Sequence, residues 1–428
     1  MIQLLLPLLA LQVDTLRLHA GVHLGPLVIS RPTVVLGEPG AVLRGSGKGS
    51  VVRIEAAGSV VRGLRIEHGG RNADTDDAGV LVLADSVVLE SLVIRDMLFG
   101  VYLKEVRDVV IRKLDIEGPA GLPESQQGDG IHFFHSRRIR AEENAIRQVR
   151  DGMYFAYSDS LTVVDNDVSR VRFGLHYMFS HWNRFERNRF SQNAAGAVLM
   201  NSNGVVVKDN IFAWNRGSRS YGLVLQTTTD ARVEGNTMVG NGIGIFLDNA
   251  IRAEVTGNLV ASNWLGLELF PNSEATVLVG NSIIGNTFDA AGGWADGAYQ
   301  LCRNGRGNFW GAARRTGFDL EGDGVLDESY APSSPLGEMA RERESLRLFT
   351  TSPAAHVIDW AERTFPVFDL PQVVDSCPLA VPGARLTELA APGGGIAEMT
   401  LLRGGLLGIL TMSGLGLAGV RLRRGGKR

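Results

Sequence analysis

The chain has 428 residues, enough for one long domain or two, and a formal net charge of -3 with an isoelectric point near 6.3. This charge balance excludes the basic surface of a nucleic-acid-binding protein, so we expect no nucleic acid partner. With 53 glycines and 7% aromatic residues, the composition favours a β-rich, turn-rich chain over a helical bundle.

A short apolar run, IQLLLPLLAL, occupies residues 2–11. Its length is typical of a secretory signal peptide, although no basic residue precedes the run and no clear small-residue cleavage site follows it. We predict a signal peptide over residues 1–12. A misassigned start codon or an ordinary first strand would produce the same pattern.

From residue 130 the sequence repeats every 22 residues, with one step of 26 at the insertion NRGSRS. Glycines precede the predicted strands at Gly130, Gly152, Gly174, Gly196, Gly222, Gly244 and Gly266. Asparagines keep the same steps, apart from a final step of 23, at Asn144, Asn166, Asn188, Asn210, Asn236, Asn258 and Asn281. Two columns that shift together predict a solenoid of stacked coils.

The repeats contain short strands and turns and no helical period, which argues against a leucine-rich repeat. We predict an all-β fold, a right-handed parallel β-helix over residues 13–332 with about 22 residues per coil. We expect the glycines to supply positive φ at the corners. We expect the asparagines to hydrogen-bond along their column inside a turn.

Side chains alternate between the two faces of a strand, so the second and fourth residues after each glycine point outward. Met178 and Met200 take the same outward position on neighbouring coils, about 4.8 Å apart, and His176 lies two residues before Met178. Cu(I) prefers thioether, thiolate and imidazole ligands. We therefore predict a Cu(I) site of His176, Met178 and Met200, with His132 as a more distant ligand.

The same face carries three aromatic residues, Tyr154, Phe134 and Phe246. An outer face rich in methionine and aromatic side chains is also typical of a protein docking surface. Insertions enter the predicted coils at one corner, just before this strand, and would frame such a surface. A partner-binding face on a scaffold without bound metal is therefore an alternative interpretation.

A carbohydrate-active enzyme of the lyase or epimerase type is a further alternative, since many parallel β-helices act on polysaccharides. The segment DGIH brings Asp129 and His132 together, and Glu268 lies on the same face. However, Glu268 is six coils from His132, roughly 29 Å away at about 4.8 Å per coil, too far for the two to cooperate. We therefore favour a protein that is not an enzyme.

The segment DLEGDGVLDESY, residues 319–330, is similar to a calcium-binding loop. Gly324 takes position 6, and four acidic residues take ligand positions 1, 3, 5 and 9: Asp319, Glu321, Asp323 and Asp327. Tyr330 replaces the glutamate expected at position 12, and no flanking helices are evident. We predict a calcium site, and an acidic turn held by its own hydrogen bonds is the alternative.

After residue 332 the pattern changes to Ser-Pro starts with helical spacing and then to a Pro/Gly-rich stretch, which predicts a strap and linker over residues 333–395. Cys377 in this strap could pair with Cys302 in an oxidising compartment. Separate thiols, or one thiol that binds copper, are the alternatives. Residues 400–421 have the length of a transmembrane anchor, and the basic tail 422–428 would then be cytoplasmic.

Three stretches carry a family resemblance: the opening coils that begin DTLRLHAGVHLG, the segment GNFWGAARRTGFDLEGDGVLDESYAP, and the tail SPAAHVIDWAERTFPVFDLPQVVDSCPL. They resemble NosD, the family of maturation proteins for nitrous oxide reductase. The resemblance implies a periplasmic, β-helical copper-binding protein. It also implies partners, namely the ATPase and membrane subunits of an ABC transporter, a copper-chaperone lipoprotein, and nitrous oxide reductase, whose copper-sulfur centre such proteins help to build. The predicted signal peptide and inner-membrane anchor agree with that location.

Overall fold

The computed structural model describes residues 13–383 except 218–219, 294–296, 316, 334, 351 and 365–373. All of these belong to the larger of two units into which the chain divides, Met1–Arg385. The predicted signal peptide, membrane anchor and basic tail lie outside the described residues. Within the described part, no helix is long and apolar enough to cross a membrane.

The described chain winds into a parallel β-solenoid, which confirms the predicted fold class. Each full coil contributes one short strand to each of three parallel sheets, which contain 13, 13 and 12 strands among the described residues. Strands that pair lie one coil apart in sequence, as Phe155 with Tyr177 shows. The repeat length read from the sequence is therefore the length of one coil.

Sheet 1 comprises Asp14–Leu18, Thr33–Gly37, Val60–Arg62, Val88–Glu90, Val110–Arg112, Arg140–Glu142, Thr162–Val164, Arg184–Glu186, Val206–Lys208, Arg232–Glu234, Glu254–Thr256, Thr276–Val279 and Tyr299–Gln300. Sheet 2 comprises Gly21–Leu24, Ala41–Arg44, Arg65–Glu67, Val93–Arg95, Asp115–Glu117, Ala145–Arg147, Asp167–Ser169, Arg189–Ser191, Ile211–Ala213, Thr237–Val239, Leu259–Ala261, Ser282–Ile284 and Phe309–Trp310. Sheet 3 comprises Leu27–Ile29, Val52–Ile54, Ala78–Val82, Phe99–Lys104, Ile131–Phe134, Asp151–Ala156, Phe173–Met178, Ala195–Asn203, Tyr221–Thr229, Ile243–Ile251, Leu265–Leu269 and Phe288–Gly292.

Within residues 13–383, as far as the structure describes them, helices occur only in insertions and after the last coil. Two α-helices follow the solenoid in this part of the chain, α1 (Pro335–Glu342) and α2 (Pro353–Thr364). Short 3-10 helices span Ala73–Thr75, Glu124–Gln126, Ala313–Arg315 and Glu344–Phe349. The first two belong to insertions that enter before strands of sheet 3, at the corner where the sequence predicted them.

The coil glycines do not have the left-handed backbone that we expected of them. They permit close packing instead, because a Cβ on Gly152 would lie 2.7 Å from the carbonyl oxygen of Gly174 on the next coil. The left-handed corners of sheet 3 hold other residues, such as Tyr157 (φ 52°) and Phe179 (φ 49°). The expectation was wrong because the approach of neighbouring coils, rather than the turn, excludes a side chain at these glycines.

The predicted asparagine column is confirmed as a buried hydrogen-bonded ladder. The Asn188 Nδ2 group donates to Asn210 Oδ1 at 2.9 Å, and that oxygen also accepts the Asn188 backbone amide at 2.9 Å. A second ladder, which the sequence analysis missed and which is buried except at its last member, joins Asn193, Asn215, Asn241, Asn263 and Asn286. Its steps of 22, 26, 22 and 23 residues carried the same signal.

The first ladder ends on the strap. Asn308 continues the column, and its backbone amide donates to Asp375 at 2.7 Å. The Trp310 Nε1 group donates to the same carboxylate at 2.9 Å. Burial raises the pKa of Asp375 above its usual range, although these hydrogen bonds oppose the rise. Cys377, two residues further on, forms a disulfide with Cys302 in the structure, which ties the strap to the last coils.

Candidate functional site

The outer face of sheet 3 carries two columns of side chains on successive coils. The first column holds, in register, Tyr102, His132, Tyr154, His176 and Val198. The second holds, in register, Phe134, Ala156, Met178, Met200 and Gln226. The structure therefore places His176, Met178 and Met200, the predicted copper ligands, next to one another on this face.

Met178 and Met200 face each other on adjacent parallel strands, where paired Cα atoms are about 4.8 Å apart. His176 precedes Met178 by two residues and points to the same side of the sheet. All three side chains are partly exposed. The Tyr154 hydroxyl lies 3.9 Å from the Met178 sulfur. Burial raises the pKa of Tyr154, so its hydroxyl keeps its proton and donates to the sulfur.

His176 is held from below by a buried carboxylate that the sequence analysis did not identify. Its Nδ1 atom lies 2.9 Å from Asp151 Oδ2, and Asp151 is fully buried on the preceding coil. Arg172 donates to both oxygens of that carboxylate, at 2.8 Å and 2.6 Å. Burial alone would raise the pKa of Asp151, but the hydrogen bonds from His176 and Arg172 hold this pKa below its usual range.

The side chains of His176, Met178 and Met200 fit Cu(I) by their chemistry. Two thioethers and one imidazole nitrogen form a soft donor set, and a methionine side chain has three rotatable bonds with which to adjust to an ion. Among the described residues, no three His, Cys, Asp or Glu side chains form a group that could hold a metal. A metal at this face would therefore depend on methionine sulfur, which favours Cu(I) over harder cations.

His132 stands apart from this set. Its ring lies flat between Tyr102 and Tyr154, with ring centres 4.4 Å and 4.6 Å away and interplanar angles of 7° and 28°. Its Nδ1 atom lies 2.8 Å from Asp129, which is buried and also accepts a hydrogen bond from Arg150. Because the Tyr154 ring separates His132 from His176, the structure does not bring the two histidines to one ion.

The aromatic residues predicted as a partner-binding face fall into separate groups. Tyr154 belongs to the stack beside His176, with ring centres 4.8 Å apart. Phe134 packs on a small apolar cluster around Phe99 and Tyr102. Phe246 lies four coils beyond Tyr154, in a different cluster. The structure does not join the three into one patch.

An exposed aromatic ladder follows the same strands and was missed by the sequence analysis. It consists of His135, Tyr157 and Phe179, whose rings stack at 4.8 Å and 5.4 Å with interplanar angles of 9° and 8°. Tyr157 and Phe179 are 50% and 40% exposed. Each is the fifth residue after a coil glycine, so extending the strand pattern by one position would have shown the ladder. Phe179 directly follows Met178, so the ladder borders the methionines.

The structure does not support the predicted calcium site. Asp319 accepts the backbone amides of Gly322 and Gly324, and Asp327 accepts that of Leu320. Asp323 likewise accepts the amide of Val325, and Glu321 is exposed. Among the described residues these carboxylates form no group suited to a metal. Without the glutamate at position 12 they satisfy the amides of the turn instead of converging, which is the acidic turn given as the alternative.

Glu268 offers no partner for an acid–base mechanism with His132. It occupies the first column six coils further on, through Val198, Val224 and Phe246. It is 6% exposed, and a guanidinium nitrogen of Arg341 in α1 lies 3.9 Å from its carboxylate. The helix that follows the solenoid therefore lies over this carboxylate.

These features define a class of protein, a β-solenoid that presents a histidine and two methionines on the outer face of one sheet. A family model described as "Periplasmic copper-binding protein (NosD)" matches residues 116–314. The "Probable ABC transporter binding protein NosD" of Stutzerimonas stutzeri is 32% identical over 380 residues, which cover 85% of this chain and 86% of that protein. A protein of the same description from Pseudomonas aeruginosa is 31% identical over 378 residues, which cover 85% and 87%. The chain belongs to the NosD family, as the sequence resemblance predicted.

Solved structures share the fold at low sequence identity. The A-module of a mannuronan C-5 epimerase from Azotobacter vinelandii has a TM-score of 0.51 at 16% identity, covering 67% of this chain and 89% of that one. A mannuronic acid specific family 6 polysaccharide lyase from human gut microbiota has a TM-score of 0.51 at 13% identity, covering 67% and 80%. At these identities the likeness shows the fold alone.

Proposed function

We propose that this protein binds Cu(I) in the periplasm at His176, Met178 and Met200 and exchanges the ion with partner proteins. The observation that carries the proposal is the pair of register-matched methionines beside an imidazole fixed by a buried carboxylate. The family description, periplasmic and copper-binding, supports the same metal and compartment. The larger role would be assembly of the copper-sulfur centre of nitrous oxide reductase.

The position of the three ligands suits exchange more than permanent storage. They come from two adjacent coils of an open sheet, and the His176 side chain is 14% exposed. A partner can therefore approach the ion from the solvent side and replace one protein ligand at a time. Thioether ligands are neutral, so they hold Cu(I) without the charge that a thiolate site would add.

The same proposal includes docking to the membrane subunits of an ABC transporter, which work with its ATPase subunits, and to a copper-chaperone lipoprotein. The names of the two NosD relatives, each a probable ABC transporter binding protein, support the transporter. The aromatic ladder supplies a surface for such a partner next to the methionines. Both faces of the Tyr157 ring are covered by the rings of His135 and Phe179, so the exposed ring edges suit apolar protein side chains better than the stacking that sugars need.

An anaerobic Cu(I) titration against a chromophoric chelator tests the metal site on the full-length protein. The native protein should take up one Cu(I), and the variant His176→Ala/Met178→Ala/Met200→Ala should take up none. A control variant removes an exposed histidine and an exposed methionine elsewhere, His19→Ala/Met339→Ala, and should bind as the native protein does.

The titration also separates the metal-free alternative. If the native protein and the triple variant bind Cu(I) equally, or if neither binds it, His176, Met178 and Met200 have no metal role. The exposed aromatic ladder would then favour the second candidate, a scaffold that docks on a transporter without carrying metal. Co-purification of the transporter with the native protein but not with a Tyr157→Asn/Phe179→Asn variant would support that role.

A further inference from the structure

His176 owes its orientation to a residue on the coil below it. Asp151 is fully buried, and both of its oxygens are engaged, since Oδ1 accepts Arg172 Nε and Oδ2 accepts both Arg172 Nη2 and His176 Nδ1. The planar guanidinium binds the carboxylate with two parallel hydrogen bonds, which fixes both its position and its plane. The imidazole is therefore bonded to a carboxylate that cannot turn away.

This contact decides which ring nitrogen carries the proton. An ionised carboxylate only accepts hydrogen bonds, so His176 Nδ1 must be the donor. In the neutral ring the other nitrogen, Nε2, then holds a lone pair. Nε2 makes no hydrogen bond to any residue in the described part of the chain. The ring also stands nearly perpendicular to the Tyr154 ring, at 88°, rather than stacked flat on it.

We propose that Asp151, clamped by Arg172, is the positioning residue that prepares His176 to bind Cu(I) through Nε2. The inference rests on the proposed function and adds to it the residues that support the ligand. Partners of this kind, a carboxylate on the far nitrogen of a metal-binding histidine, typically change metal affinity by about 10- to 100-fold. Neither Asp151 nor Arg172 touches the ion, so both act through His176.

The chain contains its own control for this idea. Asp129, Arg150 and His132 repeat the same three residue types, with the acid and the arginine one coil earlier and the histidine two coils earlier. His132 Nδ1 lies 2.8 Å from Asp129, and an Arg150 nitrogen lies 3.2 Å from it. That histidine lies flat between two tyrosine rings, and its neighbours in the second column are Phe134 and Ala156, which have no sulfur. Removal of the Asp129 carboxylate should therefore disturb the fold as much as removal of the Asp151 carboxylate does, but should leave Cu(I) binding intact.

The test compares full-length native protein with Asp151→Asn and Asp129→Asn. Cu(I) affinity is measured with a chromophoric chelator, thermal stability by circular dichroism, and the tautomer of each histidine by long-range proton–nitrogen NMR of the metal-free protein. We expect Asp151→Asn to lower Cu(I) affinity by about 10- to 100-fold and to give His176 a mixture of tautomers. We expect Asp129→Asn to change the His132 tautomer and the melting temperature but not the Cu(I) affinity.

Several outcomes would overturn the inference. If Asp151→Asn binds Cu(I) as tightly as the native protein, or if Asp129→Asn loses as much affinity as Asp151→Asn, Asp151 has no positioning role. If the native protein binds no Cu(I), the proposed function itself fails, which is a different result. Should Asp151→Asn not fold, Arg172→Lys keeps the charge but loses the paired hydrogen bonds. It should lower Cu(I) affinity in the same direction, and unchanged affinity would refute the clamp.

Discussion

Substitution of Asn210 by alanine removes one member of the longer asparagine ladder at mid-solenoid. The Asn210 side chain makes four hydrogen bonds, donating to the Phe185 carbonyl (2.7 Å) and to Asn236 (3.0 Å) and accepting twice from Asn188 (2.9 Å each). At about 1 kcal/mol net for each bond, the loss is about 4 kcal/mol. The residue is 1% exposed, so water cannot replace these bonds without opening the coil.

Urea unfolding followed by circular dichroism measures this change, with amide hydrogen exchange to locate the opening, because solenoids need not unfold in one step. The matched control is Asn203→Ala, since Asn203 is exposed and its side chain bonds to no described residue. The control should change stability by less than about 0.5 kcal/mol. Equal effects of the two substitutions would refute the view that the ladder stabilises the coils.

Three further predictions concern the strap and the aromatic ladder. Cys302→Ser/Cys377→Ser removes a disulfide that joins residues 75 positions apart, and should lower the free energy of unfolding by roughly 4 kcal/mol. It should also make the strap more sensitive to limited proteolysis, and unchanged cleavage would contradict a tethering role. Because burial raises the folded-state pKa of Asp375, the contribution of this group to stability should increase as the pH falls through that pKa. Asp375→Asn should lack this increase when the free energy of unfolding of both proteins is measured against pH. The same pH dependence in both proteins would contradict the prediction. Tyr157→Asn/Phe179→Asn lowers the backbone strain at two residues of left-handed conformation but loses the stacking of their rings. The free energy of unfolding should therefore change by less than about 1 kcal/mol, while transporter binding falls.

The fold was predictable because one number in the sequence, the repeat length, is the length of one coil. Once Gly152 and Gly174 are aligned, the pairing of every strand between them follows, and the pairing of Met178 with Met200 needs only counting. Side-chain alternation then assigned the outer face. The coil glycines were interpreted wrongly because a repeat shows where glycine is required but not whether a turn or a neighbouring coil requires it.

The support of the site was not predictable by the same counting. Asp151 precedes a coil glycine and lies outside the alternating part of the strand, so the pattern gave no sign that it is buried. Its bond to His176 crosses from one coil to the next and depends on the rotamer of the imidazole. The predicted calcium loop finds no support for a related reason, since Asp319 and Asp323 match ligand positions in spacing but accept hydrogen bonds from backbone amides.

His132 and His176 show how the position of the neighbouring aspartate can determine the role of an imidazole. Asp129 lies on the same coil as His132, and the hydrogen bond between them holds the imidazole in the stack between Tyr102 and Tyr154. On the coil of His176 the corresponding residue before the glycine is Phe173, so the ring turns back to Asp151 on the preceding coil. That turn sets the imidazole upright, with its second nitrogen free of any bond to a described residue. His132 is therefore packed into an aromatic stack, whereas His176 is presented beside two thioethers. The difference arises because the aspartate lies on the same coil as His132 but on the coil before His176.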